Sequence, residues 1–295
     1  MISACIIVKN EEMMLSGCLT SIKPIADEII VVDTGSTDKT LEIARKFGAK
    51  TFNFEWNSDF SSARNFSLEK ASGDWIIVID ADEILEQKDQ EGIKKLVLMK
   101  DFDAFSVIQR TYTDESSNLE FVKLPQKRYG FSGYFDVEVI RIFRNNGYKY
   151  SGKVHEIIDD SLKDAKIGRT DVIFHHLEHM KGTVRQKQLN YLKICLEEID
   201  AGNKSEKMLC DAALLTFNYK KDYPEAEKLL QNTIKIHPGS VRTHLLLGQM
   251  YFQQGEFEKA IKAYETAKDI PNAPAQIIEK NIQILKSLRA NKQSK

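Results

Sequence analysis

Residues 75–83, which read Trp-Ile-Ile-Val-Ile-Asp-Ala-Asp-Glu, decide the fold predicted for this chain. A run of four to six apolar, mostly β-branched residues is typical of a strand covered on both faces, as in a parallel α/β sheet. Residues 29–33 (IIVVD) have the same form and also end in a carboxylate. Because ligands bind beyond the carboxyl ends of the strands in such sheets, we expect both acidic ends to open into one crevice.

The acidic end of residues 75–83 carries two aspartates, Asp80 and Asp82. In an extended chain they point to the same side, and paired carboxylates are costly to hold together unless a cation lies between them. Carboxylate oxygens suit Mg²⁺ or Mn²⁺, which proteins usually share with the phosphates of a substrate. We therefore predict a metal-diphosphate site; the alternative is a solvated acidic turn. Glu83 is expected to cap the turn or to face solvent.

Composition and charge narrow the class of protein. The net charge is -1, and no basic stripe indicates nucleic acid as a partner. No segment approaches the roughly 18 to 20 apolar residues that span a bilayer, and the start lacks the basic region of a signal peptide. The four cysteines are scattered without a CxxC motif, which favours reduced thiols over a disulfide framework or a zinc site. We expect a cytoplasmic protein without a transmembrane segment.

The first half of the chain alternates strand and helix, which predicts a doubly wound sheet with right-handed crossovers. The predicted strands are 3–8, 28–33, 50–54 and 74–80, and the predicted helices are 11–23, 37–47, 60–71 and 89–99. Asn10 is expected to cap the first helix. A half-exposed strand is predicted at 105–112, and antiparallel additions to the sheet are predicted at 137–143 and 148–150.

From about residue 185 the pattern is helical only, and it repeats every 34 residues. Aligning 207–240 with 241–274 places Tyr223 on Phe257 and Ala226 on Ala260. The period and the small and aromatic positions indicate tetratricopeptide helix pairs, with a final capping helix at 274–290. Such concave helical surfaces commonly hold extended peptides, so we expect this region to bind an acceptor. Homodimerisation through the same helices is the alternative.

Two turns could contact a nucleotide. Asp33 ends a strand and could accept hydrogen bonds from a base or ribose, although Thr37 or Asp38 could make the same segment an ordinary helix start. We assign Asp38 to capping. In residues 59–65, Asp59 could cap a helix, and Arg64 could reach a diphosphate with its bidentate fork. The alternative for Arg64 is an exposed position on an amphipathic helix.

Residues 152–156 (GKVHE) supply further candidates. His155 is a possible third metal ligand, since a neutral imidazole tolerates Mn²⁺ beside carboxylates, although a lone histidine is more often structural. Glu156 or Glu138 could act as a general base on an acceptor. A second histidine cluster consists of His175, His176 and His179. For this cluster we favour loop packing or a role at the acceptor site over zinc binding.

Taken together, these motifs resemble the family 2 inverting glycosyltransferases of the GT-A fold. The similarity lies in residues 6–12, 33–38, 73–75 and 80–83. Further segments resemble the bacterial branch with C-terminal tetratricopeptide repeats, which includes the sublancin-type peptide S-glycosyltransferases; these are 59–65, 141–144 and 152–156. The resemblance implies an α/β GT-A (nucleotide-diphospho-sugar transferase, Rossmann-like) domain at 1–184 and an all-α tetratricopeptide-like domain at 185–295.

The resemblance also implies an activity. It is the metal-dependent transfer of a single sugar, with inversion, from a nucleotide-sugar to a peptide, protein or glycan acceptor, with a UDP-sugar as the first choice of donor. Donor contacts are implied for Val8, Asn10, Glu12, Asp33, Arg64, Asp80, Ala81 and Asp82. Mg²⁺ or Mn²⁺ would be bound by Asp80, Asp82 and His155. The general base would be Glu156, which is favoured by a small margin over Glu138.

Several other readings stay open. A transferase could act on a cell-surface glycan or a lipid-linked acceptor instead, but the chain lacks the Gln-x-x-Arg-Trp motif of processive synthases. A sugar-nucleotide pyrophosphorylase usually has a Gly-rich basic loop after its first strand, and residues 9–12 (KNEE) are not one. A non-catalytic tetratricopeptide scaffold with a degenerate transferase domain is the rival from another class. The intact Asp80 and Asp82 pair argues against it.

Overall fold

The computed structural model describes residues 1–114, 121–154, 156–177 and 184–293. The chain folds into two compact units, Met1–Gly182 and Thr183–Lys295. Among the described helices, none is both long enough and apolar enough to cross a membrane.

The first unit begins with strands and helices in strict alternation, as predicted. These are β1 (Ile2–Val8), α1 (Leu15–Ile22), β2 (Glu28–Asp33), α2 (Thr40–Lys46), β3 (Lys50–Asn53), α3 (Phe60–Glu69) and β4 (Trp75–Val78). The remaining elements are β5 (Glu83–Ile84), α4 (Gln87–Leu96), β6 (Ala104–Thr113), β7 (Val122–Arg128), β8 (Phe131–Arg144) and β9 (Ile167–His176). A 3₁₀ turn lies between the last two strands, at Asp159–Leu162.

The described strands form one mixed sheet with the order β3-β2-β1-β4-β8-β6-β9-β5, and β7 pairs with β8. Strands β1 to β4 are parallel neighbours, while β8 runs antiparallel to both β4 and β6. Val8 pairs with Asp33, so β1 and β2 end at the same edge of the sheet, and β4 ends beside them. The acidic strand ends therefore lie at one edge of the sheet.

The central strands are buried on both faces, which explains their unbroken apolar runs. One hydrophobic cluster joins alternate strand residues, such as Val31 and Ile77, to Leu15 and Leu19 of α1. A second cluster lies on the other face, where Leu68 of α3 packs with the intervening strand residues. The predicted α/β layer arrangement is present.

The first two helices begin later than predicted, α1 at Leu15 and α2 at Thr40. Asn10 does not cap α1: it has a φ of 56°, and its Oδ1 accepts a hydrogen bond from the Thr37 N–H over 2.8 Å. The Ser36 hydroxyl in turn accepts a hydrogen bond from the Asn10 N–H. These bonds hold the loops after β1 and β2 to each other, and that competes with helix formation at 11–14 and 37–39.

The later strands also depart from the sequence pattern. Residues 148–150 are not a strand, and only the bridge between Ser151 and Ile157 forms nearby. The sequence does not predict β7, because this exposed strand lacks an apolar run and contains Pro125, which sheets tolerate at edges. It also does not predict β9, whose first half is polar.

The second unit is entirely helical in its described part. Its helices are α5 (Val184–Asp200), α6 (Glu206–Leu215), α7 (Tyr223–Ile236), α8 (Val241–Gln253), α9 (Phe257–Lys268) and α10 (Ala275–Gln293). Helices α7 and α9 begin 34 residues apart. The residues with left-handed backbone conformation that precede them are also 34 residues apart; they are Lys221 (φ 62°) and Gly255 (φ 73°). The predicted repeat is confirmed in both its period and its helix pairs.

Candidate active site

The turn after β4 is held by a pair of reciprocal hydrogen bonds. The Asp80 N–H donates to Oε2 of Glu83 over 2.8 Å, and the Glu83 N–H donates to the Asp80 carbonyl over 3.0 Å. Glu83 is fully buried, so its expected capping of the turn holds but its expected exposure is wrong. The turn fixes the positions of both aspartates, Asp80 and Asp82, at the sheet edge.

Two buried arginines bind the carboxylate of Asp80, one at each oxygen. Nη2 of Arg64 donates to Oδ1 over 2.7 Å, and Nη2 of Arg141 donates to Oδ2 over 2.8 Å. Arg141 also donates to Oε1 of Glu83 over 3.2 Å, and Gln109 donates to the same oxygen over 2.6 Å. Asp80 is therefore the centre of a buried network of ion pairs.

Arg141 reaches Asp80 from an irregular position in β8. Phe105 pairs with Ile142 and Ser106 with Ile140, so Arg141 is the extra residue of a β-bulge. Bulges re-aim a side chain and commonly lie beside active sites. The bulge brings a buried cation to the turn after β4.

The network sets the ionisation of its acids. Burial disfavours the charged form of Asp80, but Arg141 and Arg64 outweigh it and hold the pKa of Asp80 below its usual range. Burial raises the pKa of Glu83, with Arg141 opposing the shift. Burial lowers the pKa of both guanidinium groups, but Asp80 outweighs it, together with Glu156 at Arg64 and Glu83 at Arg141, so both pKa values are raised and both groups stay cationic.

Helix α3 and the residues Tyr150 and Glu156 position Arg64 jointly. Asp59 caps α3 as predicted, accepting a hydrogen bond from the Ser62 N–H over 3.0 Å. Asn65 bonds both the N–H and the carbonyl of Tyr150. The Tyr150 ring centroid lies 5.6 Å from Cζ of Arg64, and burial raises the pKa of its hydroxyl to about 12. Arg64 is buried, which excludes the exposed alternative.

Three polar atoms around this network are buried without a hydrogen-bond partner among the described residues. They are Nη1 of Arg64, Nε of Arg141 and the hydroxyl of Tyr150. An unsatisfied buried donor costs about 1–3 kcal/mol, more when it is charged. A bound anion would satisfy such donors.

A histidine faces the second aspartate. Nε2 of His176 lies 3.7 Å from Oδ1 of Asp82, and both side chains are largely buried. The other ring nitrogen, Nδ1, is 3.0 Å from the Thr111 hydroxyl, a contact that orients the ring. The Leu177 N–H also donates to the Asp82 carbonyl over 2.9 Å, which ties β9 to this turn. An imidazole nitrogen and a carboxylate oxygen are thus brought to one place.

The predicted nucleotide-side residues lie at the ends of β1 and β2. Val8 ends β1, and its carbonyl accepts hydrogen bonds from Thr34. The Asp33 carboxylate accepts hydrogen bonds from the N–H groups of its own turn, at Gly35 and Ser36. The exposed Glu12 accepts one from the Lys39 N–H over 3.1 Å.

Some of the remaining predicted residues lie in the network around Arg64 and others do not. Glu156 joins the network, since Oε1 accepts a hydrogen bond from Nε of Arg64 over 2.5 Å. Ala81 is buried between the two aspartates. Glu138 lies elsewhere, half exposed and bonded to Ser106 and Arg169. His155, like His179 of the second cluster, lies outside the described residues.

Sequence reasoning assigned no role to Arg141 and favoured no metal role for His176. A cation next to a buried strand run, in residues 141–144, is the available signal for Arg141. No sequence signal pairs His176 with Asp82, because β9 is not predicted as a strand and lies far along the chain.

Comparison with known proteins follows the same division of the chain. The model of the family described as glycosyl transferase family 2 matches residues 3–155, and that of the tetratricopeptide repeat matches residues 219–276. A TPR repeat-containing protein of Synechococcus elongatus is 30% identical over 284 residues, which are 92% of this chain and 66% of that protein. The SPbeta prophage-derived glycosyltransferase SunS of Bacillus subtilis is 34% identical over 158 residues, 52% of this chain and 34% of SunS.

Among solved structures, S. aureus TarS 1-349 in complex with UDP-GlcNAc has a TM-score of 0.47 and 16% identity, covering 98% of this chain and 92% of that one. The chain spans less than two thirds of the length of both curated relatives above. The first family model covers more than half of the 295 residues. The chain therefore belongs to glycosyl transferase family 2, with a tetratricopeptide repeat region after its transferase domain.

Proposed function

We propose that this protein is a metal-dependent inverting glycosyltransferase that moves a single sugar from a nucleotide-sugar, a UDP-sugar in the first instance, to an acceptor. One observation supports this most directly. The Asp82 carboxylate lies 3.7 Å from Nε2 of His176, directly beside the arginine network of Asp80. Groups that suit a divalent cation and groups that suit a diphosphate thus lie at one sheet edge.

The donor set fits Mn²⁺ or Mg²⁺, with the imidazole favouring Mn²⁺. Asp82 and His176 would hold the ion, in place of the predicted pairing through Asp80, whose oxygens are both bound to arginines. Orientation of an imidazole by a hydrogen bond to its other nitrogen, as Thr111 provides here, is typical of metal ligands. When bound, the ion would neutralise charge on the departing diphosphate.

The residues of the chain provide the rest of the electrostatic stabilisation. Nη1 of Arg64, Nε of Arg141 and the Tyr150 hydroxyl are buried and without partners among the described residues. Donors of this kind, fixed in a site that excludes water, stabilise a negative charge that develops at the leaving group. Asp80 binds one arginine at each carboxylate oxygen and offsets the repulsion between the two cations.

Glu156 is the better placed of the two proposed bases, because it belongs to the Arg64 network and Glu138 does not. Its role would be to accept the proton of the acceptor hydroxyl as that hydroxyl attacks the sugar. If the acceptor is a cysteine thiol, with a usual pKa near 8.5, the base matters much less.

The acceptor is proposed to be a peptide or protein side chain, bound by the tetratricopeptide helices. The support is the pairing of a transferase domain with a confirmed repeat, together with similarity to the glycosyltransferase SunS. A cell-surface glycan or a lipid-linked sugar is the alternative acceptor. Donor contacts from Val8, Asn10, Glu12, Asp33 and Ala81 are part of the same proposal.

Calorimetry with UDP, with and without Mn²⁺, tests the donor site. We expect binding that strengthens with Mn²⁺ in the wild type and in Asp101→Asn, an exposed control. Asp82→Ala should lose the Mn²⁺ dependence and most donor hydrolysis. Wild-type turnover in Asp82→Ala would contradict the proposal, and complete absence of nucleotide binding in the wild type would favour the scaffold reading.

A further inference from the structure

A second histidine lies behind the proposed active site. Successive strand residues point to opposite faces of a sheet, so His175 points away from the side on which His176 faces Asp82. His175 is fully buried, and its Nδ1 lies 2.8 Å from the hydroxyl of the buried Tyr112. This contact occupies Nδ1 of His175 and leaves the other ring nitrogen, Nε2, available for a second contact.

Two carboxylates at the start of α4 face that nitrogen. Oδ2 of Asp89 lies 3.7 Å from Nε2 of His175, and Oε2 of Glu86 lies 3.8 Å from it. The three ligand atoms all lie within 4.8 Å of one another. One imidazole and two carboxylates therefore converge on a single small volume.

The convergence is not explained by hydrogen bonding. The distances of 3.7 and 3.8 Å exceed the usual donor–acceptor range of about 2.7–3.2 Å. Nε2 of His175 and Oδ2 of Asp89 are buried and without hydrogen-bond partners among the described residues, and Asp89 is only 3% exposed. Two buried electron-pair donors that face each other without a partner indicate that a cation binds between them, with Nδ1–H of His175 donating to the Tyr112 hydroxyl.

The other atoms of the cluster are held in place. Oδ1 of Asp89 accepts a hydrogen bond from the Ile173 N–H over 2.9 Å. Oε1 of Glu86 accepts hydrogen bonds from Arg128 and from the Tyr129 hydroxyl. Outer contacts that fix each ligand and leave one atom facing inward are the arrangement found around metal ions in proteins.

We propose that Glu86, Asp89 and His175 bind a zinc ion that is separate from the metal of the sugar-nucleotide site. Zinc ligands about 2.0–2.1 Å from a tetrahedral ion lie roughly 3.3–3.5 Å apart. The two distances from Nε2 of His175, 3.7 and 3.8 Å, therefore need to shorten by about 0.3–0.4 Å, and the two carboxylate oxygens, which lie within 4.8 Å of each other, need to approach the same spacing. A buried imidazole selects zinc over Mg²⁺, which prefers oxygen ligands at tighter octahedral spacing. A water molecule completes the coordination on the side of the partly exposed Glu86.

The ion has a structural role in this arrangement. It fastens the first turn of α4 to β9, at the residue before His176. The chain that runs from Asp82 to α4 contains β5, and the two residues of β5, Glu83 and Ile84, pair with His176 and His175 of β9. The buried zinc thus steadies both sides of the Asp82 and His176 pair, without contacting the substrate.

Metal content of the full chain tests the proposal. The protein is stripped with a chelator, loaded with Zn²⁺, passed through a desalting column and measured by mass spectrometry of the metal. We expect about one zinc per chain in the wild type and in Asp82→Asn, which removes a ligand of the other site. Asp89→Asn keeps the size of the side chain and its acceptor for Ile173, and it should retain less than a tenth of the zinc.

A second readout does not depend on the folding of Asp89→Asn. Co²⁺ added to the stripped Asp82→Asn protein should give the visible absorption of a tetrahedral site, and Zn²⁺ should abolish it. Zn²⁺ should also raise the unfolding temperature of Asp82→Asn but not of Asp89→Asn. Absence of zinc and of the Co²⁺ spectrum in Asp82→Asn would overturn the proposal.

Discussion

Nε of Arg64 donates a hydrogen bond to Oε1 of Glu156 over 2.5 Å, across 92 residues of sequence. The same guanidinium holds Asp80 through Nη2 and leaves Nη1 buried and unbonded among the described residues. One side chain thus connects the turn after β4, helix α3 and the segment that contains the proposed base. Its removal should affect all three.

Arg64→Lys should lower turnover about 100-fold while the chain stays folded. A lysine keeps the charge but has its three donors on one nitrogen, so it cannot reach Asp80, Glu156 and a further acceptor at the separate positions that the guanidinium fork reaches. Loss of one fixed donor to a developing anion typically costs about 10²–10³ in kcat. Steady-state kinetics with a UDP-sugar measure the effect, and Arg45→Lys, at an exposed position of α2, is the matched control. Equal turnover in the two variants would contradict the role given to Arg64.

Glu28→Gln should destabilise the first unit in a pH-dependent way. Burial raises the pKa of Glu28, but hydrogen bonds from Lys50, Ser3 and Ser72 outweigh it and lower the pKa to about 2. Since an unfolded glutamate titrates near 4.3, the ionised carboxylate contributes about 3 kcal/mol at pH 7.

This contribution should fall as the pH falls. A carboxyl whose pKa is lowered by folding stabilises the folded state at pH values above its unfolded pKa. This stabilisation is lost as the pH falls toward its folded pKa. The difference in unfolding free energy between wild type and Glu28→Gln should therefore shrink to about 1 kcal/mol at pH 3. Urea unfolding at pH 7, 5, 4 and 3 gives this profile. Glu42→Gln, an exposed control, should leave the unfolding free energy almost unchanged at every pH, and a flat profile for Glu28→Gln would refute the prediction.

Gly248→Ala should destabilise the helical repeats. A Cβ at this position would lie 2.8 Å from the ring of Tyr264, which is itself buried and cannot swing away. Overpacking of this kind costs about 1–3 kcal/mol, which exceeds the gain of up to about 1 kcal/mol from replacing a helical glycine. Thermal unfolding followed by circular dichroism measures the effect. Gly239→Ala meets no neighbour within 4 Å and should be close to neutral.

Deletion of the helical unit tests the acceptor proposal. A chain that ends at residue 182 keeps both hydrophobic clusters of the first unit. It should still hydrolyse the donor at a rate near that of the full chain, but it should not transfer sugar to a peptide acceptor. The two reactions are followed separately, by release of UDP and by a mass shift of the acceptor. Loss of both in a truncated chain that remains folded would indicate a structural role for the repeats.

The sequence by itself determined the layers and the order of the main elements. Unbroken apolar runs such as residues 29–32 arise because a doubly covered strand must be apolar at every position, and this requirement is local. The 34-residue period is also local, since each helix pair packs only against its neighbours. The acidic ends of the strands were visible for the same reason.

Only the tertiary structure decided which side chains meet at the sheet edge. Arg141 reaches Asp80 through a bulge, and His176 reaches Asp82 from a strand whose first half is polar. The burial of Glu83 likewise depends on Arg141 and Gln109, which come from other strands. Contacts between residues distant in sequence leave no periodic pattern, because they depend on strand order and register and not on local preference.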